Sequence, residues 1–363
     1  MGTGTDLVVG RDDLHRTELL EGVGDDAALA DGEALLRVDT FALTANNITY
    51  GVAGDLTSYW SFFPADAGWG RIPVWGFADV VRSEADGLAE GDRVYGYYPM
   101  STHLIVQPTK VRGDSFVDGA EHRAGLPAVY NNYRRVSATD ASAEAMESIL
   151  RPLFMTSWLI DDFCADHDFF DAEAVVLTSA SSKTSFGTAF CLSRREGHPV
   201  QVVGLTSPSN VEFVEGIGCY DEVLTYDDIA ALPADRPTVS VDMAGSSSVL
   251  SAIHHHLGDR LRHSATVGIT HWEDRSGTGA MPGPEPQLFF APAQIEKRTK
   301  DWGPGGVDER FGVDWSSFLA EVDDWITVTE VRGPEAARAA YLEMLDGKTP
   351  PDQALIVSMH EPS

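Results

Sequence analysis

Basic residues are scarce in this chain. Its 363 residues hold 26 Lys and Arg against 56 Asp and Glu, a formal net charge of −30. Nucleic acids and anionic membranes need a basic footprint, so the balance argues against both as partners and for a solvated acidic surface. Cysteine is scarce as well. Cys164, Cys191 and Cys219 show no metal-ligand spacing and lie beside apolar residues, which reads as buried, reduced thiols in a cytoplasmic protein. Long hydrophobic runs are missing: nothing approaches about 18 consecutive apolar residues, so no membrane span is expected. Met1 to Gly10 has neither a basic start nor a sustained apolar run, and no secretory leader is expected. What remains is 43% hydrophobic with eight tryptophans, enough for two domains with substantial cores.

The first part of the chain reads as short strands punctuated by glycine turns. Ala34 to Leu43, Pro73 to Val81, the stretch after Gly87-Leu-Ala-Glu-Gly91, and Thr102 to Gln107 are strand candidates. Thr44 stands where it can cap a short helix carrying Asn46, Asn47 and Tyr50. Tyr59, Trp60, Phe62, Phe63, Trp69 and Trp75 fall close together, as either a core or the wall of an apolar pocket. From Ala143 to Cys164 the apolar spacing turns helical. After Ala174, strands and helices alternate in the βαβ manner, which predicts a parallel sheet. Residues 273–286 read as a Gly- and Pro-rich loop, and Gly333-Pro334 as a helix start. The fold expected is α/β: a Rossmann-like parallel-sheet domain plus a smaller β-rich one.

The central stretch is Ala174 to Ser193: a buried strand, a loop of small hydroxylated residues, then a helix. Such a unit aims backbone N–H groups and a helix N-terminus at one spot, which favours a phosphate. Glycine is absent where a dinucleotide loop places it; Ser179, Ser181, Ser182, Lys183, Thr184 and Ser185 stand there instead. Serine keeps the backbone accessible and offers a hydroxyl, and Lys183 offers a charge-assisted contact. The alternative for the same residues is a serine-rich helix cap with a solvated lysine. The next strand ends without the Asp or Glu that grips the ribose hydroxyls of NAD. Thr206, Ser207 and Asn210 stand there and can accept a 2′-phosphate, so NADPH is favoured over NADH.

This order of parts resembles the zinc-free, quinone oxidoreductase-like branch of the medium-chain dehydrogenase/reductase superfamily, and more narrowly the DUF2855 family. The residues carrying the resemblance are Leu35 to Tyr50, Ile72 to Gln107 (with Gly91-Asp-Arg-Val94), Ala174 to Tyr226, Val241 to Gly245 and Gly347 to Met359. It implies a GroES-like catalytic domain over 1–142, a nucleotide-binding domain over 143–286, a return to the catalytic domain over 287–363, and a cleft between the domains. It further implies an NADP-dependent oxidoreductase acting on a small molecule, and a homodimer. Asn46, Asn47 and Tyr50 fall where such relatives place residues beside the nicotinamide; Thr156 and Gly245 fall at cofactor-contacting positions, and Tyr130, Asn131 and Tyr133 at the pocket. Trp75-Gly76-Phe77 replaces the Gly-His-Glu of the zinc-dependent branch, and no four-cysteine lobe is present, so no metal is expected.

Some patterns are set aside. His254, His255 and His256 on a helix diverge by about 100° each and cannot share one ion. Asp161-Asp162 and Asp323-Asp324 read as solvated helix faces. The expected activity is NADPH-dependent reduction of a conjugated carbonyl such as an enone or quinone-like compound. The alternatives are a non-redox enzyme of lyase or retro-aldolase type on the same fold, and a small-molecule binding protein.

Overall fold

Alternation of buried and exposed side chains organises the first unit. The computed structural model describes residues 3–137, 140–197, 200–267 and 281–361. It divides into Met1–Pro152 with Thr327–Ser363, and Leu153–Ile326. The second unit therefore begins ten residues later than expected and keeps the helices Ala291–Trp302 and Gly306–Val322, so the return to the first unit starts at Thr327 rather than 287. Part of the expected 273–286 loop lies outside the described residues.

In the first unit, Gly4–Gly10 and Thr17–Gly22 form an antiparallel hairpin. A larger sheet is built around Ala34–Leu43, which pairs antiparallel with Pro73–Ser83, His103–Val106 and Gln353–Ser358. Pro73–Ser83 in turn pairs with Arg93–Pro99. The inward residues Leu36, Val38, Val74, Val80, Val94 and Leu355 make its core, closed by Ala337, Ala340 and Tyr341 of the helix Pro334–Leu345. That helix does begin at Pro334, after Gly333 at φ 93°. Trp60 is slotted against two glycines. A Cβ at Gly54 would lie 2.2 Å from its indole nitrogen, and one at Gly70 would lie 2.5 Å from its ring.

The second unit holds six parallel strands in the order Glu222–Thr225, Gln201–Thr206, Ala174–Leu177, Thr238–Asp242, Leu261–Thr266 and Gln287–Leu288. The run Ala174–Leu177, apolar and buried at every position, is that of a strand covered on both faces. The chain moves outward from Ala174–Leu177 to one side, then crosses back to Thr238–Asp242. The crevice between these two strands is therefore the topological switch point, where open α/β sheets bind ligands. The helix Lys183–Arg194 is held by aromatic packing: Phe190 lies 5.1 Å from Phe318, and Phe154 stacks on Phe318 at 4.1 Å. Among the described residues no helix is long and apolar enough to cross a membrane.

The paired acids Asp161 and Asp162 are not solvated faces. Asp161 is buried against Arg195, and Asp162 is held at 2.7 Å by both Arg298 and Gln294. The three consecutive histidines diverge as expected: His254 reaches Pro282 and Ser264, His255 reaches Ser251, and His256 reaches Leu232. Burial raises the thiol pKa values of Cys191 and Cys219, and takes Cys164 up to about 12, keeping all three as protonated, unreactive thiols at neutral pH.

Asp168 to Asp171 run through four consecutive left-handed residues, φ 49° to 55°. Such a run is unfavourable by about 1–2 kcal/mol per residue. A stack opposes it: Phe170 lies face to face with His263 at 4.2 Å and with His167 at 5.0 Å. Burial lowers the pKa of His263, as it does those of His254 and His360. The folded state therefore prefers all three neutral, whereas the unfolded chain takes up protons near pH 6.5. Their contribution to stability is full above that pH and is lost as pH falls through the lower folded values. Asp161 and Asp242, raised by burial, act in the opposite sense at more acid pH. The melting temperature is expected to drop between about pH 7.5 and pH 5.5, with a shallower drop in His263→Phe, followed by circular dichroism.

Candidate functional site

The site in the second unit begins where Ala174–Leu177 ends. Thr178 is fully buried and bridges to the neighbouring strand: its hydroxyl donates to Asp242 at 2.6 Å and accepts the N–H groups of Met243 and Ala244 at 2.9 and 3.0 Å. Asp242 also accepts from Ala244 and Gly245. Burial raises its pKa, and the Thr178 hydroxyl and these N–H groups hold it back. The pair thus fixes both walls of the switch-point crevice, including Gly245 at φ 65°.

Ser179 follows at φ 50°, the left-handed conformation for which glycine is the usual residue. Its N–H donates to the Tyr226 hydroxyl at 2.9 Å. The Ala180 N–H donates to Leu205 O, and the Ser182 N–H to Ser179 O, closing a tight turn. Ser182 then caps the helix Lys183–Arg194, its hydroxyl accepting the Ser185 N–H at 3.3 Å. Lys183 and Thr184 head that helix, where backbone N–H groups lie beyond the reach of intrahelical carbonyls. The loop is thus a tight turn, capped by Ser182 and built without glycine.

The expected residues sort by direction. Ser181, Ser182, Lys183 and Thr184 are half-buried at the head of the helix. Ser185 points inward, fully buried, with its Oγ 3.2 Å from the Tyr220 hydroxyl, so its proposed phosphate contact is corrected to a structural one. Thr206 is likewise buried within its strand and is corrected as a 2′-phosphate contact. Ser207 is half-buried, and Asn210 donates to the Ser181 hydroxyl at 3.0 Å, tying the second-strand turn to the first loop. Gly187 is close-packed against the helix Ala141–Asp166: a Cβ there would lie 2.7 Å from Ser157 Oγ. Thr156 sits half-buried on that same helix, in the second unit.

Four residues of this site escape a reading by motif: Thr178, Asp242, Tyr220 and Tyr226. Tyr220 also donates to Ala180 O at 2.8 Å, under the loop. A tyrosine placed directly after the strand Glu222–Thr225 was the available signal for Tyr226, since strand C-termini converge on this edge.

In the first unit, Asn46, Asn47 and Tyr50 lie on the helix Ala45–Val52. Asn47 is buried and committed. Its amide oxygen accepts the Thr44 N–H at 2.7 Å, and its Nδ2 donates to Pro73 O at 2.9 Å. Its catalytic assignment is therefore corrected to that of a cap that anchors the helix. Tyr50 faces a buried aromatic cluster with Tyr59, Phe62, Phe63, Tyr97 and Tyr130. Tyr59 packs 4.4 Å from Tyr50, and its hydroxyl meets that of Tyr130 at 2.9 Å. The Trp75 indole N–H donates to the Tyr50 hydroxyl at 3.4 Å. Burial raises the Tyr50 pKa, against the contrary pull of Trp75, Asn46 and Tyr97. Most of the aromatic segment 59–75 is core, and Asn131 and Tyr133 are buried in this unit as well. Among the described residues no group of three His, Cys, Asp or Glu side chains could hold a metal.

Solved structures share this architecture across nearly the whole chain. CurA of Vibrio vulnificus in complex with NADPH superposes with a TM-score of 0.64 at 14% identity, covering 99% of this chain and 100% of its own. A putative NADPH:quinone reductase from Bacillus thuringiensis gives 0.58 at 13% identity, covering 99% of each chain. The yhdH oxidoreductase of Salmonella enterica in complex with NADP gives 0.52 at 13%, covering 98% and 99%. The likeness shows the fold: a Rossmann-like sheet domain and a GroES-like β-rich domain, as in medium-chain dehydrogenases/reductases. No curated protein matches the sequence. Residues 41–350 match the family model described as a protein of unknown function, DUF2855, and the chain belongs to that family.

Proposed function

We propose that this protein is an NADPH-dependent, zinc-free reductase of a conjugated carbonyl compound, an enone or a quinone-like small molecule. The observation that carries the reading is the capped loop Ser179–Ser182 at the switch point of a parallel sheet, followed by a helix headed by Lys183. The presence of NADPH in CurA, which has the same fold, supports it.

The residues present fit a dinucleotide. Ser181, Ser182, Lys183 and Thr184 offer hydroxyls, helix-head N–H groups and a cation to a pyrophosphate. Ser207 and Asn210 follow the second strand with no carboxylate before Glu212, so a 2′-phosphate meets no adjacent like charge. Bound there, NADPH would supply a hydride for the β-carbon of the substrate. The protein's own part is to stabilise the charge that gathers on the substrate oxygen and to return a proton. Tyr50 is the proposed proton donor, and Asn46, half-buried beside it, the proposed second hydrogen-bond donor to the oxygen.

The test is NADPH oxidation by purified protein with a panel of enones and quinones, alongside thermal unfolding. NADPH at 100 times its dissociation constant should stabilise the fold by about 2.7 kcal/mol. Stabilisation without oxidation across the panel would move the reading to a non-redox enzyme. That second reading is favoured by one observation: the Ser179 N–H is given to Tyr226 rather than left for a phosphate.

A further inference from the structure

We infer that Trp75 is a positioning residue for Tyr50: its indole N–H holds the phenol oxygen and directs the phenol proton away from the aromatic cluster. The inference rests on the proposed role of Tyr50 as proton donor. Trp75 lies on the central strand Pro73–Ser83 and is stacked on Tyr95 at 5.6 Å with an interplanar angle of 19°. It is tilted against Tyr97 at 4.9 Å. These neighbours fix the ring, and its Nε1 reaches the Tyr50 hydroxyl at 3.4 Å. An indole N–H can only donate, so the Tyr50 oxygen must be the acceptor.

Of the polar groups around Tyr50, the Trp75 indole alone can only donate; the Asn46 amide and the tyrosine hydroxyls can also accept. The Asn46 side chain and the Tyr97 hydroxyl both bear on the Tyr50 oxygen in the sense that favours its ionised form. The Tyr97 hydroxyl is fully buried and makes no hydrogen bond of good geometry among the described residues. The hydroxyls of Tyr59 and Tyr130 are taken up with each other. The ionisable groups facing Tyr50 are therefore the phenols of Tyr59, Tyr97 and Tyr130, with Tyr95 behind them. No charged side chain among the described residues moves its titration. Donors directed at a phenol oxygen stabilise the phenolate left after proton transfer, and they leave the phenol proton to point elsewhere.

The experiment places a ring-fluorinated tyrosine, whose phenol ionises at lower pH than tyrosine, at position 50. Its fluorine resonance is then followed against pH with neither cofactor nor substrate present. Trp75→Phe and Trp75→Leu both remove the N–H; either one that folds reports. The acid dissociation constant at position 50 is expected to fall about three- to tenfold in these variants, the effect of losing one hydrogen bond to a charged oxygen. Trp75→His, which keeps a ring N–H, should recover part of the loss. Unchanged titration in a folded variant would overturn the inference and reduce Trp75 to a wall of the cluster. Absence of turnover in the wild-type protein would instead remove the reductase reading, and the titration would still report on the Trp75 contact.

Discussion

Tyr50→Phe is expected to lower kcat for reduction of a conjugated carbonyl by at least about a hundredfold, within the range for loss of a positioned general acid. KM should change by no more than a few-fold, because the ring stays in its cluster with Tyr59 and Tyr97 and only the oxygen is lost. The Trp75 indole N–H reaches the hydroxyl only at 3.4 Å and the ring keeps its packing, so removal of the oxygen should affect the fold little. Steady-state kinetics with NADPH, paired with a thermal melt, checks both halves. A kcat within a factor of a few of wild type would mean that water delivers the proton and that Tyr50 serves packing alone.

Ser181→Asp is expected to weaken NADPH binding about a hundredfold or more. The new carboxylate would stand at the head of the helix Lys183–Arg194, beside the hydroxyls proposed to meet the pyrophosphate. Two like charges about 5 Å apart at an effective dielectric of about 20 repel by about 3 kcal/mol, which is more than two powers of ten in affinity. The same carboxylate is favourable at a helix N-terminus and can accept from Asn210, so the protein without cofactor should be no less stable. Fluorescence titration with NADPH reads the first effect and thermal unfolding the second. Unaltered affinity would place the phosphates elsewhere.

Much of the fold is legible in the sequence because its signals are local. The run Ala174–Leu177, apolar throughout, and the strand–helix alternation after it mark a parallel sheet. Gly333-Pro334 marks a helix start. The boundary of the second unit was harder to read. The helices Ala291–Trp302 and Gly306–Val322 stay with that unit because Phe311, Trp315 and Phe318 pack on Phe154, Phe186 and Phe190. Contacts between residues so distant in sequence leave no periodic trace.

The candidate site stands out in the sequence by composition more than by the direction of its side chains. The serine loop, Lys183 and the missing acid after the second strand stand out by composition. The direction of each side chain does not. Ser185 and Thr206 turn inward, and Asn47 is spent on Thr44 and Pro73, because buried polar groups must find partners. The bridge from Thr178 to Asp242 joins residues 64 apart and is visible only once the two strands are side by side. Ser179 shows how the loop manages without glycine: it takes the left-handed conformation and gives its N–H to Tyr226, so the turn survives with a side chain where a phosphate would ordinarily approach.

The most direct measurement is a titration of the purified wild-type protein with NADPH and, separately, NADH, followed by calorimetry. Saturable binding of one NADPH per chain is expected, tighter than NADH by about tenfold or more, since no carboxylate follows the second strand to favour the ribose hydroxyls. Failure of folded protein to bind either nucleotide would contradict the dinucleotide reading of the loop Ser179–Ser182, and equal affinity for both would contradict the assignment of Ser207 and Asn210 to a 2′-phosphate.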